Sequence, residues 1–194
     1  MKNTLKSKFI LVLGGARSGK INFAERFAAN ISENVANIVT APITEEEMVR
    51  RNHIYKVKRP GHWVTYEETR NIVQLMDKLK DEPQVILLDC LTSWLSNLLI
   101  NSTTSSTGIS WPDKENYILK EVEKLGRLTE NSLATIIVVA NEVSWGLVPD
   151  NRLGKAFRDV AGAANQILAQ YADEVYLIVA GIPIEIKSLA IRQV

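Results

Sequence analysis

The run FILVLGGARSGKINFAERF, Phe9 to Phe27, limits the fold more than any other stretch of the chain. Phe9–Leu13 is apolar on both faces, which is the pattern of a strand buried inside a parallel sheet. It passes directly into a glycine-rich turn, and Ile21–Asn30 continues with helical periodicity. The turn, Gly14, Gly15, Ala16, Arg17, Ser18, Gly19 and Lys20, has the spacing G-x-x-x-x-G-K. In such a loop the glycines let backbone N–H groups face phosphate oxygens. The following helix offers its positive end, and the lysine reaches the β/γ oxygens. A strand, a loop and a helix in that order predict a nucleotide phosphate loop. A glycine-rich turn with an exposed lysine is the bland alternative.

The rest of the chain repeats the alternation. Asn37–Thr40, Val85–Asp89, Thr135–Ala140 and Glu174–Val179 read as further strands, and Glu45–Lys58, Glu68–Lys80, Asp113–Thr129 and Arg152–Tyr171 as helices. Strand, helix, strand repetition predicts a three-layer α/β fold with a mostly parallel sheet and right-handed crossovers. The Ser/Thr-rich run NSTTSSTGIS, 101–110, reads as a surface loop, because the pattern resumes after it. With 194 residues and no internal repeat, residues 1–194 are expected to form a single domain.

Composition excludes several classes. Lys and Arg number 23 against 22 Asp and Glu, so overall charge gives no argument for nucleic acid as a partner. No apolar run is long enough to span a membrane. The lysines before Phe9 precede an apolar run too short for a secretory signal, and no small-residue cleavage pattern follows it. The single cysteine, Cys90, has no partner for an internal disulfide, so a cytoplasmic location is expected. Cys90 itself reads as a packing residue rather than a nucleophile.

A second acidic anchor is QVILLDCLTSW, where a buried strand ends in Asp89. This is the Walker-B pattern, in which the carboxylate holds Mg²⁺ directly or through water. One phosphate-loop position departs from type. Ile21 stands where a serine or threonine hydroxyl usually binds the metal, and isoleucine has no lone pair to offer. Mg²⁺ retains waters readily, so the expectation is weakened metal binding with the phosphate grip intact.

The blocks GGARSGK (14–20), EEEMVRR…KRPGHW (45–63), DCLTSWLSNLL (89–99) and NEVSWGLVPDNRLGKAFRDVAGAANQILAQYADEVYLIVAGIPIEIK (141–187) follow in order. Together they resemble the bifunctional adenosylcobinamide kinase / adenosylcobinamide-phosphate guanylyltransferase family over nearly the whole chain. The resemblance implies a RecA-like P-loop NTPase domain and a homo-oligomer, often a trimer. It implies two reactions, phosphorylation of adenosylcobinamide by ATP or GTP and transfer of GMP from GTP onto the resulting phosphate. Glu142 is implied as a contact for metal or hydroxyl, beside Lys20 and Asp89.

The family passes GMP through a histidine in a pattern like R-I-x-x-H-x-x-x-R-P. Here the stretch reads RNHIYKVKRP, 51–60, and Tyr55 takes the histidine's place. His53 lies two positions earlier, which on a helix turns it about 200° away. His62 lies beyond the motif. A phenol of pKa about 10 is mostly protonated and forms a sturdier ester than the P–N bond of an imidazole. Tyr55 and His53 therefore both stand as candidate guanylyl carriers. A kinase-only enzyme and a non-catalytic nucleotide- or corrinoid-binding member stand as alternatives. Ser144-Trp145 is a further departure, since the resemblance implies the glycine that usually follows Asn-Glu-Val, and Trp145 is expected to crowd the corrin side.

Overall fold

The computed structural model describes residues 7–41, 60–104 and 110–190, without the side chains of 101–104. In chain order the elements are β1 (Phe9–Gly14), α1 (Lys20–Ile31), β2 (Val35–Val39), β3 (Val64–Glu67), α2 (Ile72–Leu79), β4 (Val85–Asp89), α3 (Leu91–Thr104), α4 (Trp111–Glu130), β5 (Thr135–Asn141), α5 (Arg152–Tyr171), β6 (Glu174–Val179) and β7 (Ile182–Glu185). They form one seven-stranded sheet in the order β3-β2-β4-β5-β1-β6-β7. Every pairing is parallel except that of β6 with the edge strand β7. This is the mostly parallel α/β arrangement expected of the sequence.

The sheet divides the core in two, because strand side chains alternate between faces. Leu11, Ile38, Ile86, Leu88, Ile136 and Val138 face the side covered by α2 to α5. Ile10, Val12, Val35, Val85, Leu87 and Ile137 face the side covered by α1. Strands β1, β2, β4 and β5 are almost wholly buried, which explains their continuous apolar runs. Helix α4 begins where Ser110 accepts a hydrogen bond from the backbone N–H of Asp113, with Pro112 in the first turn. On α5, Ala156, Val160, Ala161, Ala164 and Leu168 face the core. The small residues of that helix thus serve close packing within the chain.

Three expectations are corrected in detail. Residues 101–104 of the Ser/Thr-rich run continue α3 rather than forming a loop. The helix expected over 68–80 starts only at Ile72, because the Glu68 carboxylate accepts hydrogen bonds from the N–H groups of Arg70 and Asn71 and folds the preceding residues into a turn. Strand β3 and strand β7 are additional. The helix expected over 45–58 lies outside the described residues.

The C-terminal hairpin is held by one carboxylate. Glu185 on β7 accepts from the N–H groups of Val175, Lys187 and Ser188, at 3.0, 3.0 and 2.7 Å. The Ser188 side chain, followed by these backbone donors, depresses its pKa to about 2. A depressed carboxylate adds stability above its unfolded pKa, and that stability is lost as pH falls through the folded value. Acid titration followed by circular dichroism should therefore show the wild-type chain losing stability between about pH 4.3 and pH 2. Glu185→Gln should flatten that part of the curve and lower stability at pH 7.

Close packing at the end of β1 gives a second expectation. A Cβ on Gly14 would lie 2.5 Å from Ser18 Oγ and 2.8 Å from the carbonyl oxygen of Ile178, whereas one on Gly15 meets nothing within 4 Å. Gly14→Ala should destabilise by about 1–3 kcal/mol in a denaturant melt. Gly15→Ala should stay within about 0.5 kcal/mol of wild type.

Candidate functional site

The parallel strands end together, so their C-terminal residues share one edge of the sheet. In register, Gly14 lies beside Asn141 on β5 and Ile178 on β6, while Asp89 pairs with Val139 and Val39. The phosphate loop, Asp89 and Glu142 are thereby brought to the same edge, where ligands of open α/β sheets bind.

The loop is clamped from both sides. Glu142 N–H donates to the Gly14 carbonyl at 3.0 Å, and Gly181 N–H donates to the Ser18 carbonyl at 2.8 Å. Between these anchors Ser18 N–H closes a turn onto the Gly15 carbonyl at 3.2 Å. Arg17 and Gly19 take positive φ, 59° and 94°. Glycine tolerates that conformation freely, and a side chain at position 19 would also press on Gly181 Cα at 3.2 Å. Gly19 caps α1 without a side-chain hydrogen bond, which leaves the N–H groups of the first turn to an outside acceptor. Ser18 Oγ is buried with no hydrogen-bond partner. Buried Lys20 donates from Nζ to the Gly15 carbonyl at 3.1 Å, so its ammonium folds over the loop. Ile21 is partly buried and packs against the core on the α1 side, so its contribution is apolar contact.

Asp89 is half-buried at the end of β4. The residue that fixes its position, Thr40 at the end of β2, was not singled out from the sequence. Thr40 N–H donates to the Asp89 carbonyl at 3.0 Å, and its hydroxyl donates to the Cys90 carbonyl at 2.8 Å while accepting from Cys90 N–H at 2.9 Å. Asn97 Nδ2 in turn holds the Thr40 carbonyl at 2.8 Å. Cys90 is half-buried, with its sulfur 3.2 Å from the hydroxyls of Thr92 and Ser93.

On the other side of the loop, the Glu142 carboxylate accepts from Ser144 N–H at 2.8 Å and from the Ser144 hydroxyl. Helix α5 supports this turn at two positions seven residues apart. Arg158 donates to the Ser144 carbonyl, and Asn165 donates to the Asn141 carbonyl at 3.2 Å. Arg158 Nη1 and Asn165 Oδ1 are buried with no hydrogen-bond partner. Arg152, by contrast, stacks on the Trp111 ring at 5.1 Å. Trp145 is 74 % exposed and does not fill a packed pocket. Tyr55 and His53 lie outside the described residues, and His62 is exposed in the turn before β3.

Among the described residues no three His, Cys, Asp or Glu side chains gather as a metal cluster. The carboxylate present at the sheet edge is that of half-buried Asp89, a donor type that Mg²⁺ accepts beside water and substrate phosphates. No helix among the described residues is long and apolar enough to cross a membrane.

Comparison with known proteins agrees with this geometry. The family model for cobinamide kinase / cobinamide phosphate guanyltransferase matches residues 10–186. The bifunctional adenosylcobalamin biosynthesis protein CobU of Escherichia coli (strain K12) is 38% identical over 180 residues, covering 92% of this chain and 99% of that protein. Its counterpart from Salmonella typhimurium is 39% identical with the same coverage. The bifunctional protein CobP of Pseudomonas aeruginosa is 37% identical, covering 91% of this chain and 96% of its own. Among solved structures, an ATP synthase subunit, NeqB from Nanoarcheaum equitans, superposes with a TM-score of 0.56 at 12% identity, over 97% of this chain and 53% of that one, and so shares the fold. From the loop at its N-terminal end to the hairpin at its C-terminal end, the chain belongs to the cobinamide kinase / cobinamide phosphate guanyltransferase family.

Proposed function

We propose that this chain phosphorylates cobinamide from a nucleoside triphosphate and then transfers GMP from GTP onto the new phosphate, with adenosylcobinamide and its phosphate as the acceptors. The observation that carries the first step is the meeting of the Lys20 loop, Asp89 and Glu142 at one sheet edge. In that step the acceptor hydroxyl oxygen bonds to the γ-phosphorus, the bond to the β–γ bridging oxygen breaks, and the nucleoside diphosphate leaves. Phosphoryl transfer needs positioning and charge neutralisation more than covalent participation by the protein. The Gly14–Gly19 loop and the open N–H groups of α1 hold the β- and γ-phosphates, and Lys20 turns from the Gly15 carbonyl onto their oxygens. Glu142, held by Ser144, orients the acceptor hydroxyl and receives its proton.

Asp89 is the residue that would hold Mg²⁺, with phosphate oxygens and water completing the shell and Ile21 supplying none of it. Held there, such an ion would supply positive charge against that developing between the β- and γ-phosphates.

In guanylyl transfer a nucleophile bonds to the α-phosphorus of GTP and pyrophosphate leaves. A phosphate oxygen of the acceptor then displaces the nucleophile and forms a new P–O–P link. Tyr55 and His53 are the candidate nucleophiles. The single chain 1–194 acts as one domain, in the cytoplasm, as a homo-oligomer of which the trimer is one form, and without nucleic acid as a partner.

Incubation with labelled GTP, Mg²⁺ and adenosylcobinamide tests the reading. Phosphorylated acceptor and then its GMP conjugate should form, and Lys20→Ala should slow the first step by about a hundredfold or more. Acid-labile, alkali-stable label on the protein would assign the carrier to His53, and acid-stable label to Tyr55. Phosphorylation without the conjugate would leave a kinase alone. Nucleotide binding without any product would overturn the proposal.

A further inference from the structure

Helix α3 starts directly after Asp89 and Cys90, and two of its side chains reach the backbone beyond the neighbouring strands. Asn97 Nδ2 donates to the Thr40 carbonyl at 2.8 Å, where the chain leaves β2, and to the Thr69 carbonyl at 3.1 Å, where it has left β3. Trp94 Nε1 donates to the next carbonyl, that of Arg70, at 2.8 Å. Trp94 and Asn97 are three residues apart and so share one face of the helix. In the sheet β2 lies between β3 and β4. One amide group thus ties the exits of two strands to the helix that leaves the third.

An amide suits this task, because its nitrogen carries two N–H groups and can serve two carbonyls at once. Carbonyls past the end of a strand have lost their ladder partners and need another donor where water is kept out. Trp94 and Thr40 are buried, and Asn97 is partly buried.

We propose that Asn97 is a positioning residue for the phosphoryl-transfer step, acting through Thr40 on Asp89. The proposal rests on the reading that Asp89 holds Mg²⁺. The route from the amide to the carboxylate residue is short. The Thr40 hydroxyl grips Cys90 from both sides, accepting from its N–H at 2.9 Å and donating to its carbonyl at 2.8 Å. Thr40 N–H holds the Asp89 carbonyl at 3.0 Å. Asp89 therefore follows Thr40, and Thr40 is set by Asn97. Without the amide, the Thr40 and Thr69 carbonyls must turn to water, and the exit of β2 is free to shift against the end of β4. A small shift matters there, because Mg²⁺ demands near-ideal octahedral geometry. Removing a group that orients a metal ligand typically costs about tenfold to a hundredfold in metal affinity or activity.

The phosphate loop is held by other bonds, from Glu142 N–H and Gly181 N–H. Loss of Asn97 is therefore selective. The ion-dependent part of nucleotide affinity falls, and the ion-free part stays.

Calorimetric titration of the full chain with α,β-methylene GTP, whose bridging carbon blocks GMP transfer, reads both parts when run with Mg²⁺ and with EDTA. Wild type should bind more tightly with the ion, and Asp89→Asn should lose that gain. Asn97→Leu, which keeps the branched shape but has no donor, and Asn97→Ala should each weaken binding with Mg²⁺ by about tenfold and leave binding in EDTA unchanged. Val122→Ala truncates a buried side chain on α4; it should lower the melting temperature and keep the gain from Mg²⁺, which separates positioning from general destabilisation. Trp94→Phe keeps an aromatic ring, removes the indole N–H, and should show the selective loss to a smaller degree. Binding by Asn97→Leu equal to wild type with Mg²⁺, or weakened equally with and without it, would overturn the proposal. If neither Asn97 variant folds, an unchanged gain from Mg²⁺ in Trp94→Phe would overturn it. Absence of the gain in wild type, or its survival in Asp89→Asn, would overturn the reading of Asp89 and the proposal with it.

Discussion

The site depends on two backbone hydrogen bonds that tie the phosphate loop to its neighbours, Glu142 N–H to the Gly14 carbonyl and Gly181 N–H to the Ser18 carbonyl. A loop built from glycines has little side-chain packing of its own, and its backbone is costly to order. Tying Gly14 to the residue after β5 and Ser18 to the turn between β6 and β7 removes part of that freedom before a ligand arrives. The same two bonds connect the loop to everything else the site uses. One belongs to the residue whose carboxylate lies toward β4 and β5, and the other to the C-terminal hairpin. The parallel arrangement makes this possible, because it sends the ends of β1, β4, β5 and β6 to one edge.

The carboxylates are held with unequal means. Asp89 is fixed through its own backbone, by a threonine at the end of the adjoining strand whose hydroxyl and N–H reach both Asp89 and Cys90. Glu142 is fixed through its side chain, by the N–H and hydroxyl of Ser144. A serine where the family resemblance leads one to expect glycine adds a hydroxyl donor to the carboxylate, and the Ser144 carbonyl accepts from Arg158. The departure at 144 reads as reinforcement of the turn, whereas the one at Ile21 trades a polar atom for contact with the core. The exposed Trp145 is the part of the change that leaves apolar surface open beside the site.

Much of this fold was legible because buried parallel strands leave continuous apolar runs. Val85–Asp89, Glu174–Val179 and the helix Arg152–Tyr171 have the bounds that periodicity indicates. The omissions have a common cause. Strands β3 and β7 are short edge strands with largely exposed residues, so neither carries such a run. Helix α3 holds Leu91, Thr92, Trp94, Leu95 and Leu99 buried and grades into Ser and Thr, which blurs the amphipathic period. At the site, Gly14–Lys20 and Asp89 could be read because each motif is local. Thr40 and the Arg158–Ser144 contact could not, since both join residues that only the folded sheet brings together.

Of the three departures from the family pattern, those at Ile21 and Tyr55 bear on different chemical demands. In the proposed phosphoryl transfer the protein supplies charge and position, so beside Ile21 the Lys20 ammonium and the N-terminus of α1 would neutralise the phosphates while Asp89 would hold the ion. Water can replace one hydroxyl in the shell of Mg²⁺ without changing which phosphorus is attacked. Tyr55, as a proposed guanylyl carrier, would belong to a step in which a side chain itself becomes the nucleophile, and no solvent molecule can substitute for it while keeping GMP attached to the protein. A phenol in that role requires a base to remove its proton near neutral pH, and its ester departs more slowly than an imidazole adduct. The loop geometry therefore supports the first reaction largely independently of the second. The order of the two reactions adds a constraint of its own, because the product of phosphoryl transfer is the acceptor for GMP. A slow second step would leave that phosphate ester to accumulate, so under the proposed function the carrier side chain would govern which product leaves the protein rather than whether the first one forms.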